Sequence, residues 1–166
     1  LEEDEALINR LGFNNDGAKN IINRIKSNQQ KGLLGVNIGP NKDTKDRIAD
    51  YLNCLNIFSE VADYITINIS SPNTEGLRDF HEKKSLSKLL EQINSLKLKK
   101  KINKPIFIKI SPDIDDKDIS QINEIILNNL NNLSSLKTKT DSVAFAGIRE
   151  PITIIRSKTF QPSLRP

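Results

Sequence analysis

Three short apolar runs, each followed by residues at helical spacing, limit what this 166-residue chain can fold into. Leu33-Leu34-Gly35-Val36-Asn37-Ile38 lies between Gly32 and Gly39 and reads as a strand. Asp43 or Thr44 then caps a helix whose Ile48, Tyr51, Leu52, Leu55 and Phe58 form one apolar stripe. Residues 64–69 alternate as a second strand, and a helix follows over about 85–98. Residues 104–110 form a third strand, with Pro105 at its entry, where a missing N–H is tolerated. Ser111-Pro112-Asp113 turns the chain, and Asp115 or Asp116 caps a further helix that buries Ile119, Ile122, Ile126 and Leu130. A loop over residues 9–16 and a helix near 18–30 precede all of this. Strands alternating with helices predict an α/β fold with a parallel sheet.

Composition excludes several functions. The net charge is +4, but basic residues are interleaved with acids and no aromatic-basic stripe suits a nucleic acid. Lys97, Lys99, Lys100 and Lys101 are the one dense run; they read as a solvated helix end, the alternative being a membrane-surface or partner contact. Cys54 is the only cysteine and His81 the only histidine, so neither a disulfide framework within one chain nor a metal cluster is expected. Cys54 reads as a buried, inert thiol. No apolar run approaches the ~18 residues of a membrane span, and the acidic start is no signal peptide, so a cytoplasmic location is expected.

Parallel strands covered by helices normally read as continuous apolar runs. Here Asn37, Asn68 and Lys109 each interrupt a strand near its C-terminal end. Alternation puts Asn68 on a face with Thr66 and Ser70, and Lys109 on a face with Phe107 and Ser111. An unpaired buried polar group costs ~1–3 kcal/mol. Three at matched depth predict a polar cavity at the C-terminal edge of the sheet, where parallel barrels hold their active sites. The alternative is that each caps its neighbouring loop.

The loop after the second strand, Asn68-Ile69-Ser70-Ser71-Pro72-Asn73-Thr74-Glu75-Gly76-Leu77-Arg78, resembles the catalytic segment of dihydroorotate dehydrogenases. Ser at position 71, rather than Cys, is similar to the quinone-dependent (class 2) branch. Ile8-Asn9-Arg10-Leu11-Gly12-Phe13 resembles that family's substrate loop, Gly35-Val36-Asn37-Ile38-Gly39 its flavin-contacting strand, and Ile108-Lys109-Ile110-Ser111-Pro112-Asp113 its lysine-bearing strand. The resemblance implies oxidation of dihydroorotate to orotate with FMN and a quinone in pyrimidine biosynthesis, on a partial (β/α)8 TIM barrel of about three to four βα units. It also implies site roles. Asn9, Arg10, Leu11, Gly12 and Phe13 line the orotate pocket, Asn73 binds substrate, and Asn68 touches both substrate and flavin. Asn37 and Lys109 hold FMN. Ser71 is the base that takes the proton from carbon 5 while carbon 6 gives a hydride to the flavin. No metal is implied.

These residue types suit the task. Asn offers both a donor and an acceptor to a pyrimidine edge, and a lysine near a flavin ring stabilises its reduced form. A serine is a poor base at its free pKa and needs a relay or a closed site. The loop over residues 70–80, with Gly76 as hinge, is expected to be that lid.

The resemblance covers residues 8–133, giving a partial barrel over 1–133. Residues 134–166 are expected to form a divergent, irregular tail, with 141–147 a weak strand candidate. The membrane-binding N-terminal region of the family, an Asn-Thr-Thr-like motif and glycine-rich phosphate segments are not found. A chain of 166 residues is short for a full barrel, typically ~250. The expectation is therefore that this chain holds FMN poorly and that its activity is impaired or lost. The alternatives are a non-catalytic remnant and a half-barrel completed by self-association or a complementing fragment.

Overall fold

The structure, a computed structural model, describes residues 14–28, 32–71, 74, 76–111, 114–137 and 153–156. Strands β1 (Gly35–Ile38), β2 (Tyr64–Asn68), β3 (Ile106–Ile110) and β4 (Thr153–Arg156) form one sheet in sequential order, every pair parallel. Helices α1 (Ala18–Ser27), α2 (Arg47–Phe58), α3 (Lys83–Lys100) and α4 (Asp116–Lys137) lie between or before the strands, and a 3₁₀ turn spans Leu77–His81. This is the expected α/β arrangement of successive βα units.

The core forms where period two on the strands meets the helical stripes. Ile65 and Ile67 of β2 and Ile106, Ile108 and Ile110 of β3 are all 1% exposed or less, as are Tyr51, Leu55, Leu86, Leu89, Leu90 and Ile93 of the helices. Ile122, Ile125 and Ile126 of α4 complete the layer. The opposite face of the sheet carries Gly35, Asn37, Tyr64, Thr66, Asn68, Phe107 and Lys109 by the same alternation.

Details of capping differ from expectation. Asp46, not Asp43 or Thr44, caps α2, its carboxylate accepting from the Ala49 N–H at 3.1 Å. Asp50 accepts instead from the backbone and side chain of Asn41, which ties the preceding loop to the helix. Asp115 caps α4 through the Asp118 N–H. At the end of α3, Lys101 takes a left-handed conformation at φ 54°, and Lys99 and Lys100 stand in solvent. Cationic side chains there oppose the helix dipole at its negative end.

The tail also differs. Helix α4 runs on to Lys137, past the expected boundary at 133, and Thr153–Arg156 pairs with β3 within the stretch expected to be irregular. The strand candidate at 141–147 lies outside the described residues.

Helix α2 is tied to the end of β2. The fully buried Tyr51 donates its hydroxyl to the Asn68 carbonyl at 2.6 Å and meets Phe80 edge-on, ring centres 5.7 Å apart. Burial pushes the Tyr51 phenol far above its ordinary pKa, partly offset by the nearby Arg47 charge. Tyr51→Phe leaves the carbonyl without this donor and is expected to cost ~1–3 kcal/mol in urea denaturation. An unchanged midpoint would mean that the carbonyl needs no such partner.

Candidate functional site

Strand register decides which polar residues meet. Asn68 stands directly opposite Lys109 across the β2–β3 pair, and Asn37 stands opposite Thr66. The three expected site residues therefore share one face of the sheet, but Asn37 lies one pleat repeat earlier than the Asn68–Lys109 row. The expected matched depth holds for two of the three. Side-chain accessibility follows the same division: Asn37 is exposed, Lys109 half-buried, and Asn68 only 4% exposed.

Two aromatic rings lie on this face before the Asn68–Lys109 row. Tyr64 and Phe107 pack edge-on with ring centres 5.3 Å apart. A Cβ at Gly35 would fall on the Tyr64 ring, so glycine is what lets the ring lie across β1. Tyr64 stands opposite Gly35 in the lowest row; Asn37, Thr66 and Phe107 form the next, and Asn68 and Lys109 the last before the strands end.

Ser70 joins the last row into one hydrogen-bonded unit. Its backbone N–H and its hydroxyl both donate to Asn68 Oδ1 at 3.0 Å, and Lys109 Nζ donates to its Oγ at 3.0 Å. Ser70 is 3% exposed, and the next residue, Ser71, is half-buried. Sequence reasoning placed Ser70 on the face of Asn68 but assigned it no role; the Asn-x-Ser spacing of Asn68-Ile69-Ser70 was the available signal. The edge-on contact of Tyr64 with Phe107 was not expected, because it depends on register.

Desolvation by burial lowers the Lys109 pKa from its ordinary 10.5. The unfolded chain is then the tighter proton binder, so this lysine's contribution to stability rises with pH between the folded and the ordinary value. Attraction for an anion moves the other way and fades over that interval. A lysine-carbon NMR titration is expected to give Lys109 a midpoint below 10.5; a midpoint at or above it would contradict the burial argument.

The loop after β2 is not a free lid over its whole length. Gly76, at φ 64°, opens the 3₁₀ turn, whose Leu77 is fully buried and whose Phe80 is 7% exposed. Those two side chains pin residues 76–81 to the core. The His81 ring bonds back to the Ile69 carbonyl, while its buried Nε2 has no hydrogen-bond partner among the described residues. Burial first, then the Arg78 charge, pushes the histidine pKa down; the Ile69 bond and Asp118 pull it back only in part. An open cleft of about 180 Å³ beside it is lined by Arg78, His81, Ser111, Ile114, Asp115 and Asp118.

Of the remaining expected site residues, Asn9, Arg10, Leu11, Gly12, Phe13 and Asn73 lie outside the described residues. Cys54 is half-buried on α2, its thiol pushed up by burial and by Asp50. Among the described residues no helix is long and apolar enough to cross a membrane.

Successive parallel βα units, with polar side chains gathered where the strands end, define part of an α/β barrel of the kind that works at its C-terminal face. Residues 1–153 match the family model for dihydroorotate dehydrogenase, and the chain belongs to that family. The dihydroorotate dehydrogenase (quinone) of Bartonella henselae is 42% identical over 154 residues, which is 90% of this chain and 42% of that protein. The enzyme of the same name from Bartonella tribocorum is 48% identical over 130 residues, 76% of this chain and 36% of its own length. In a crystal structure of the Eimeria tenella enzyme in complex with ferulenol, the matching region superposes with a TM-score of 0.70 at 29% identity, covering 76% of this chain and 41% of that one. This chain thus spans less than half the length of these relatives. The family match continues past residue 133 into the segment expected to diverge.

Proposed function

We propose that this chain carries part of the dihydroorotate-oxidising site of a quinone-dependent dihydroorotate dehydrogenase, with FMN as its flavin. The observation that carries this reading is the Asn68–Ser70–Lys109 unit at the ends of adjacent parallel strands, on the face away from the helices. An ammonium and an amide, with aromatic rings on the same face of the sheet, suit a planar heterocycle that becomes electron-rich on reduction. FMN, when bound, supplies the hydride acceptor. Lys109, Asn68 and Asn37 would hold it; Asn68 and Asn73, with residues 9–13, would orient the pyrimidine.

Ser71 would take the proton from carbon 5 of dihydroorotate. Its half-buried position keeps it from bulk water, and Ser70 fixes the backbone beside it through the bond to Asn68. With a quinone as acceptor, the protein would work in the cytoplasm beside a membrane surface. Titration with FMN, followed by flavin fluorescence, is expected to show saturable quenching that weakens by roughly 10–100-fold in Lys109→Met, the loss of one charge-assisted contact. Identical titrations of both proteins would overturn the reading.

A second reading is a half-barrel that works with a separate fragment. It is favoured by β1, which borders the sheet with Gly35 and Asn37 exposed on its polar face. Its test is to mix the chain with a piece carrying the remaining strands, which should tighten FMN binding and permit bleaching by dihydroorotate.

A further inference from the structure

We infer that Ser70 is a positioning residue that sets the polarity of the Asn68 amide, so that this row of the site offers its ligand hydrogen-bond donors only. The identity of the ligand rests on the function proposed above, whereas the order of the hydrogen bonds is a property of the fold.

The argument turns on which groups can only donate. The Ser70 backbone N–H has no acceptor capacity, so the Asn68 atom 3.0 Å from it is the amide oxygen and not the nitrogen. A protonated lysine likewise only donates, so Lys109 Nζ gives a hydrogen to Ser70 Oγ. The single hydroxyl hydrogen of Ser70 is then left for Asn68 Oδ1, again at 3.0 Å. A carbonyl oxygen has two lone pairs, and Ser70 occupies both. The part of the amide left for a ligand is Nδ2 with its two hydrogens. Among the described residues Nδ2 makes no hydrogen bond.

Both residues are nearly inaccessible, Asn68 at 4% and Ser70 at 3%, so water cannot readily replace either bond. Lys109 keeps its other N–H groups for a ligand. The row therefore selects a ring edge that presents acceptors, such as a carbonyl or a nitrogen carrying negative charge. An edge needing an acceptor from the protein finds none on Asn68. This narrows the sequence expectation that the amide serves a pyrimidine with both its donor and its acceptor. It also suits a ring that gains electron density during reaction, since donors strengthen as the acceptor becomes anionic.

The test has two arms, both on the full 166-residue chain. The first uses no ligand: the Asn68 carbonyl-carbon resonance and the Lys109 titration are compared in wild type, Ser70→Ala and Ser70→Thr. Ser70→Ala removes one bond to Oδ1 and the acceptor of Lys109. The carbonyl carbon should move upfield and the Lys109 midpoint should fall further, while Ser70→Thr, which keeps the hydroxyl, should preserve both. If Ser70→Ala does not fold, Ser70→Cys keeps the volume with only a weak donor and should shift the same signals. Unchanged signals in the folded variant overturn the inference.

The second arm titrates FMN. Ser70→Ala and Asn68→Asp should each weaken it about tenfold, the Asp variant because it puts an acceptor where a donor is needed. Equal binding by Asn68→Asp and wild type also overturns the inference. If wild type does not saturate with FMN, the flavin reading fails, and the first arm alone decides the role of Ser70.

Discussion

In the chain complemented with a piece carrying the remaining strands, Ser71→Ala is expected to lower turnover of dihydroorotate by ~10²–10⁴-fold, the range for loss of a general base. Orotate binding should stay within about twofold of wild type, because the lost group acts on a proton and not on the ring as a whole. The split between kcat and binding is the informative readout. A purely structural serine would change both or neither. Ser71→Cys sharpens the test, since a thiol of pKa near 8.5 makes a base with a different pH profile. Activity that persists in the Cys variant with a displaced pH optimum, and vanishes in the Ala variant, assigns the proton transfer to this position. A kcat for Ser71→Ala equal to wild type ends the assignment and leaves the row of Asn68, Ser70 and Lys109 as a binding feature only.

The second large effect concerns the fold. Ile67 is fully buried in β2, opposite Ile38 of β1 and Ile108 of β3, beneath the helices. Ile67→Ala is expected to cost ~2–5 kcal/mol, from lost transfer energy plus the cavity left behind. That is a large share of the ~5–15 kcal/mol by which domains are stable. The denaturation midpoint should fall with an unchanged slope. A loss below about 1 kcal/mol would mean that the isoleucine face of β2 is not the packed core, since ordinary surface changes stay within about 0.5 kcal/mol. Thr66→Ala, one residue away on the opposite face, should cost far less.

Much of this could be read along the chain. The isoleucines at 65, 67, 106, 108 and 110 announce their face by period two, and Tyr51, Leu55 and Phe58 announce theirs by helical spacing. The polar interruptions Asn68 and Lys109 were visible as departures from an apolar run, and the structure sets them side by side. Asn37 was visible too, but not that it sits a pleat lower. That offset depends on how far each strand slides in its pair, which nothing within the strand records. The lid is a similar case. Gly76 suggested freedom, yet Leu77 and Phe80 find buried places that can be known only once α2 and α3 are packed. Strand β4 was missed although Ile152-Thr153-Ile154-Ile155 is a β-branched run, because so short a run does not name its partner, which is the edge of β3.

The amino-acid sequence by itself determined the order of strands and helices, the apolar face of each, and the residue types available where the strands end. These are short-range properties, fixed by pleat, helical repeat and side-chain chemistry. Only the tertiary structure decided that Lys109 reaches Ser70 across 39 residues of chain, and that Asn68 turns its oxygen inward and leaves its donor for a ligand. Hydrogen bonds between distant segments form only after helix packing has set the register, and that register is a property of the whole core.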